Sequence, residues 1–297
     1  MTSEPSFRTA PERSLSSAPP ARAALKRVLG AFALCLALLG WSTPARADHT
    51  EEEHLTDDTA WTLAGDKMWR VGLFKVAVGL GDRVTLGTYT LPWAALATNG
   101  YLKWRFYGGD VFNWAAQVTY FRLDLANFSD AKEPPRFGVG SLALLSSLRI
   151  SSALQLSNSL VFTAVRARGT IEDDTLAGAG QGGLTNLQYV AALEWRWSRH
   201  TALVITGRYL MAQVVDARTS FTTRPDEYTT VEVHADADDD TLLNFRRAFS
   251  IVPAFAWSWN TFNLELGLGY GNPNVPAVNF TFPGRYFIPT LDLYWTF

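Results

Sequence analysis

The nine residues Phe262-Asn-Leu-Glu-Leu-Gly-Leu-Gly-Tyr270 alternate apolar with polar or small side chains without a break. A two-residue period belongs to a β-strand, whose successive side chains point to opposite faces, and not to the 3.6-residue stripe of an amphipathic helix. Phe262, Leu264, Leu266, Leu268 and Tyr270 share one face; Asn263, Glu265, Gly267 and Gly269 share the other.

The same reading extends outward along the chain. In residues 101–107, Leu102, Trp104 and Phe106 oppose Lys103 and Arg105; in 189–197, Tyr189, Ala191, Leu193, Trp195 and Trp197 oppose Glu194 and Arg196. At the end of the chain Phe287, Leu291, Leu293, Trp295 and Phe297 oppose Thr290, Asp292, Tyr294 and Thr296. A soluble β-sandwich also alternates, so the period alone leaves two architectures open. The tryptophans favour one of them. Trp104 and Trp114 flank the short link at 108–110, Trp195 and Trp197 precede 198–200, Trp257 and Trp259 precede 260–261, and Trp295 adjoins the C-terminus. All fall at one end of their strands on the apolar face, as an interfacial aromatic girdle requires. No apolar run beyond residue 47 is long enough for a membrane helix, and in lipid only helices and closed barrels satisfy every backbone group. The expectation is an all-β chain forming one closed antiparallel transmembrane β-barrel.

Connection lengths repeat in a matching way. Short links near 79–83, 108–110, 157–159, 198–200 and 260–261 alternate with longer ones near 92–99, 128–136, 170–185, 215–240 and 272–284. Short turns on one side and long loops on the other are the barrel arrangement. These links delimit eleven strands, and an even number is expected when both termini lie on one side. Residues 59–64, Thr-Ala-Trp-Thr-Leu-Ala, followed by Gly65-Asp66-Lys67, supply a first strand. The count is then twelve, with ten as the fallback.

Residues 1–47 read differently. A basic flank ending in Lys26-Arg27, an apolar run from Val28 to Trp41 and an Ala45-Arg46-Ala47 end make up a cleavable secretory signal peptide, with Asp48 first in the mature chain. The single cysteine, Cys35, lies inside that apolar run. Residues 48–58 form an acidic periplasmic tail, and 59–297 the barrel. The leader holds six of the 26 basic and two of the 28 acidic side chains, so the remainder carries a net charge near −6, which argues against nucleic acid as a partner.

The C-terminal stretch Arg285-Tyr-Phe-Ile-Pro-Thr-Leu-Asp-Leu-Tyr-Trp-Thr-Phe297 resembles the terminal β-signal of Gram-negative outer-membrane barrel proteins, an alternating strand that ends in an aromatic residue. Leu291, Leu293, Trp295 and Phe297 match that pattern; Pro289 departs from it, because proline cannot donate to a strand ladder. Residues 72–87, Gly-Leu-Phe-Lys-Val-Ala-Val-Gly-Leu-Gly-Asp-Arg-Val-Thr-Leu-Gly, are similar to a hairpin common near the start of such barrels. The resemblance implies the bacterial outer membrane as location, its lipid and lipopolysaccharide as surroundings, and the barrel-assembly machinery as partner during biogenesis. It does not name a solute.

Lys103, Arg105, Arg196 and Arg208 against Glu194, Glu265 and Asp292 are the candidate lumen lining. Such a set either lines a selective pore or pairs to plug a narrow barrel, and its signs are mixed enough to predict no ion preference. The acidic stretch 226–240 lacks the calcium-loop pattern, since Thr241 and Arg247 stand where Gly and an acid would be needed counting from Asp236; it reads as a solvated loop. A hydrolytic barrel needs a histidine within reach of a nucleophile. Of His49, His54, His200 and His234 only the last is placed for that, with Ser220 and Ser250 distant in sequence, so no catalytic role is expected. No cofactor motif occurs, and the glycines at 138–140 and 178–183 lack the strand–helix context of a phosphate loop. A narrow channel or transporter for small solutes is the leading expectation; a structural or adhesive barrel acting through its long loops is the other.

Overall fold

The computed structural model describes residues 59–64, 68–94, 97–124, 134–172, 176–223, 230–236, 248–259, 261–272 and 285–297. The leader and acidic-tail readings fall on residues 1–58, outside this set. Thirteen strands follow in order: β1 (Trp69–Gly72), β2 (Lys75–Leu80), β3 (Val84–Tyr89), β4 (Thr98–Gly108), β5 (Phe112–Asp124), β6 (Arg136–Arg149), β7 (Leu154–Glu172), β8 (Leu176–Arg196), β9 (Thr201–Thr223), β10 (Thr230–Asp236), β11 (Phe249–Trp259), β12 (Phe262–Gly271) and β13 (Tyr286–Thr296). One short helix, α1 (Leu91–Ala94), sits in the link between β3 and β4.

Every pairing is antiparallel, and the sheet closes: β9 pairs with both β8 and β11, and β13 returns to β1. Twelve strands form the ring. β10 stands outside it, paired only with residues 216–222 of β9. Closure is sealed where the chain ends meet: the Trp69 N–H donates to the Phe297 carbonyl and the Phe297 N–H to the Trp69 carbonyl, both at 2.9 Å. Closure gives each of the twelve strands a neighbour on both sides, although the short β1 pairs β13 only from Tyr294 to Thr296.

The two faces separate as the alternation predicts. Outward positions are mostly exposed and apolar, with Leu102, Trp104, Val118, Leu142, Leu160, Phe162, Trp195, Leu291 and Trp295 among them; inward positions are mostly buried and carry the polar and charged side chains together with small and some larger apolar ones. In β13 the odd residues face out and the even ones in, so Leu291, Leu293, Trp295 and Phe297 share the outer face.

Three expectations need correction. Residues 59–64 are not the first strand, which is β1; a tight turn at 73–74 splits what read as one long strand and completes the twelve. The turn expected at 157–159 lies at 150–153 instead, and Ser157 and Ser159 are buried on the inner face of β7. Serine suits a turn and a wet lumen equally, so composition alone cannot separate them. The long links at 170–185 and 215–240 are largely strand: β8 starts at Leu176, β9 runs to Thr223 and β10 occupies part of the acidic stretch. Pairing with neighbouring strands there overrides the local turn preference of glycine and aspartate.

Candidate functional site

The barrel interior is built in rungs, each made of residues paired across neighbouring strands. Toward the long links, Phe121, Val139, Val165, Leu184 and Val215 form one apolar rung across β5 to β9. Phe137, one rung further out, packs against this cluster and meets Phe121 edge-on at 6.0 Å between ring centres. The next rung inward is polar throughout: Thr119, Ser141, Thr163, Asn186 and Gln213. Toward the short turns come Asn113, Ser147, Ser157, Ala192 and Thr206, and then Arg149, Gln155, Glu194 and Val204.

All seven charged residues expected in the lining fall at inward strand positions. Lys103 and Glu194 are almost fully buried. Arg196 Nε donates to Glu194 Oε1 at 2.6 Å, Arg105 is directed at the 81–83 turn, and Arg208 lies opposite Ser250. Glu265 lies directly opposite Asp292, and Asp292 accepts a 2.5 Å bond from Arg70 Nη2. The sequence reading missed Arg70, Lys75 and Arg149. The Arg70 guanidinium also lies 3.8 Å from the Tyr294 ring centre, and the Lys75 ammonium sits over the rings of Tyr89 and Tyr101 at 5.3 and 4.8 Å. Trp69-Arg-Val71 carries the same alternation as the other strands, and that signal would have found Arg70. With these three included, the inward strand positions among the described residues hold seven cationic side chains and three carboxylates. At these positions the cations outnumber the carboxylates.

Residues 59–64 lie inside this ring at the short-turn end. The Ala60 N–H donates to Ser147 Oγ at 2.9 Å and the Leu63 N–H to Thr85 Oγ1 at 2.9 Å, while Lys103 Nζ donates to the Thr59 carbonyl at 3.0 Å. Thr62 Oγ1 donates to the Asp82 carbonyl at 2.7 Å. Ala60 is seated on Ala115, Ala143 and Leu145, and the Trp61 ring is held between the guanidiniums of Arg105 and Arg149 at 5.6 and 5.4 Å. A backbone segment that pairs with inward side chains rather than with a strand edge narrows the lumen without joining the wall.

No protein-family model matches the chain, and no curated protein matches it in sequence.

On the outside, the tryptophans expected as a girdle are at the short-turn end. Trp195 and Trp197 meet at 5.6 Å and continue to Phe255 and Trp257; Trp259 stacks on Phe262 at 5.4 Å, which meets Trp295 at 5.2 Å. Trp104 packs on Phe106 and Trp114 on Phe112, and the exposed Trp69 of β1 joins the same rim. The β9–β10 hairpin pairs Glu232 with Ser220 and His234 with Arg218 in backbone register.

Proposed function

We propose that this protein is an outer-membrane channel for small organic anions, narrowed at its periplasmic mouth by residues 59–64. The observation that carries the reading is the inner wall: seven inward cations against three carboxylates, with an apolar rung at the opposite mouth. Cationic linings admit anions, because low-dielectric walls strengthen the field that a small number of charges sets up in a narrow space. The apolar rung of Phe121, Val139, Val165, Leu184 and Val215 gives the hydrocarbon part of such a solute a surface to rest on. The apolar outer face, the aromatic rim and the terminal strand that resembles the β-signal support the location and an exported precursor.

Reconstitution into a planar bilayer tests the proposal. Under a salt gradient the reversal potential should have the sign of anion selectivity, and deleting residues 48–64 should raise conductance severalfold. A cation-selective current, or no current from either form, would remove the channel reading.

A second reading has its own support. β7, β8 and β9 have 19, 21 and 23 residues, roughly twice the 9–11 that cross a membrane, and β9 extends from Leu210 to Thr223 beyond its last pairing with β11. With β10 these ends form a projecting sheet that suits a surface-binding role. Shortening β8 to β10 should abolish cell-surface or ligand adhesion and leave conductance in place if that sheet is the working part. Catalysis forms no part of either proposal: His234→Ala should leave lipid hydrolysis unchanged.

A further inference from the structure

The outer wall carries a charged patch that neither a channel nor an adhesive sheet requires. On β5, β6 and β7 two consecutive outward rungs near the long links read Arg122–Gly138–Arg166 and Asp124–Arg136–Arg168. Arg122, Arg166 and Arg168 are exposed, and Arg136 is half-buried. On these three strands Asp124 is the one carboxylate, shared by Arg136 at 3.1 Å and Arg122 at 3.5 Å; across Gly183 the first rung continues to the exposed Asp216 of β9. Arg166 and Arg168 have no acidic partner among the described residues. The rungs directly beneath are hydrocarbon or small: Tyr120–Gly140–Ala164, then Val118–Leu142–Phe162 and Ala116–Leu144–Leu160. On β11 to β13 the corresponding end presents Phe249, Ile251, Tyr270 and Phe287, with the exposed Arg285 lying over the Phe249 ring at 4.9 Å, so the clustered arginines of β5 to β7 have no counterpart there among the described residues.

Its height is informative. From Phe112, Leu148 and Leu156 beside the short turns to Arg122, Gly138 and Arg166, each strand advances ten residues. At about 3.4 Å per residue and a tilt of about 40° that is about 26 Å, close to the height of the apolar band of a barrel in an outer membrane. Arginines at the middle of that band would be costly; at its upper edge they stand among headgroups.

The middle strand leaves room between them. A Cβ on Gly140 would meet nothing within 4 Å, and one on Gly138 only the Phe121 carbonyl at 3.9 Å. Arg122 and Arg166 therefore flank a bare strip of backbone, with Cα atoms about two strand spacings, or about 10 Å, apart. Two guanidiniums at that separation can converge on one tetrahedral anion, and each can offer it paired N–H donors. We infer that this strip is a binding cradle for the phosphate of an anionic lipid headgroup in the outer leaflet, with Arg122 and Arg166 across Gly138 as the clamp and Arg168 extending it toward a second phosphate. The inference rests on the outer-membrane reading above.

The test uses the full folded barrel in detergent, titrated with a bisphosphorylated glucosamine lipid, with the same lipid stripped of phosphate, and with inorganic phosphate. Retention is read by native mass spectrometry and by the thermal midpoint. The phosphorylated lipid should be retained and should raise the midpoint; the stripped lipid should do neither, and inorganic phosphate should compete only weakly. The triple substitution Arg122→Gln, Arg166→Gln, Arg168→Gln should weaken retention about a hundredfold, each surface arginine contributing a factor of about five. Gly138→Leu keeps all four charges and fills the strip, and it should weaken retention by tenfold or more. Equal retention of the stripped lipid, competition by inorganic phosphate at equal strength, or full retention by Gly138→Leu would each overturn the cradle. If the barrel inserts into vesicles yet shows no phosphate preference, this inference alone fails; if it does not insert at all, the outer-membrane reading fails with it.

Discussion

Gly79 faces inward on β2 at the point where the N-terminal segment passes, and a Cβ built there would lie 2.2 Å from the Leu63 carbonyl oxygen. Backbone cannot yield by that amount as a flexible side chain would, so a larger residue must displace the segment or the strand. Gly79→Leu is expected to release residues 59–64 from the lumen while the ring stays closed. A cysteine placed at Thr62 should then react with a water-soluble thiol reagent many times faster, and conductance should rise; an unchanged labelling rate would mean the segment does not depend on that space. The Arg70–Asp292 pair is a second sensitive contact, because both groups are largely shielded and sit at the seam between β1 and β13. Arg70→Met leaves a carboxylate without its donor and should lower stability in detergent by on the order of 3 kcal/mol, whereas Arg70→Met with Asp292→Asn should recover much of that loss. A thermal or denaturant unfolding series on the three variants checks it.

The seam strand explains how a proline is tolerated in β13. Phe297 N–H donates toward β1 and Thr296 N–H toward β12, at 2.9 and 2.8 Å, so the odd residues of β13 direct their amides at β1. Pro289 is odd, and β1 has already turned away by Gly72, opposite Tyr294. The missing N–H falls where no partner strand runs, and no ladder bond is lost. Pro289→Ala should therefore change stability by less than about 0.5 kcal/mol. Removing Phe297 should do far more, since it deletes both backbone bonds to Trp69 that close the ring; folding into lipid vesicles, followed by the heat-modifiable band shift on a gel, should slow and end in a lower yield. Equal folding of the truncated chain would show that closure does not depend on that pair.

Taken as a whole, the molecule presents a largely hydrocarbon outer wall, an interior of cations and hydroxyls with one apolar rung, and most of its described tryptophans at the short-turn rim, Trp93 standing exposed in the long link between β3 and β4. If that rim lies at a membrane interface, tryptophan emission should be quenched most strongly by lipids brominated high on their acyl chains and least by those brominated near the bilayer centre. Strongest quenching from the centre would contradict the girdle. Trp61, inside the lumen, should stay largely unquenched and can be isolated by replacing the outer tryptophans with phenylalanine.

Strand period, face assignment, aromatic rim and the inward placement of Lys103, Glu194 and Asp292 were all legible in the linear chain, because each follows from alternation between two solvents along a single strand. Where a turn begins was less so: Ser157 and Ser159 read as a link, and the glycines after residue 177 read as a loop, because small polar residues suit turns and barrel linings alike. The role of residues 59–64 was not legible at all. Thr-Ala-Trp-Thr-Leu-Ala has the composition of a strand, and its exclusion from the wall depends on β1 closing with β13 and on Lys103, Ser147 and Thr85 offering inward partners from three different strands. The excess of inward cations emerged partly in the same way: alternation in Trp69-Arg-Val71 already points Arg70 inward, whereas Lys75 and Arg149 count as lining only once the ring fixes which side of each strand is inside. Local periodicity is a property of consecutive residues, whereas what fills a closed ring depends on side chains brought together from strands far apart in the chain.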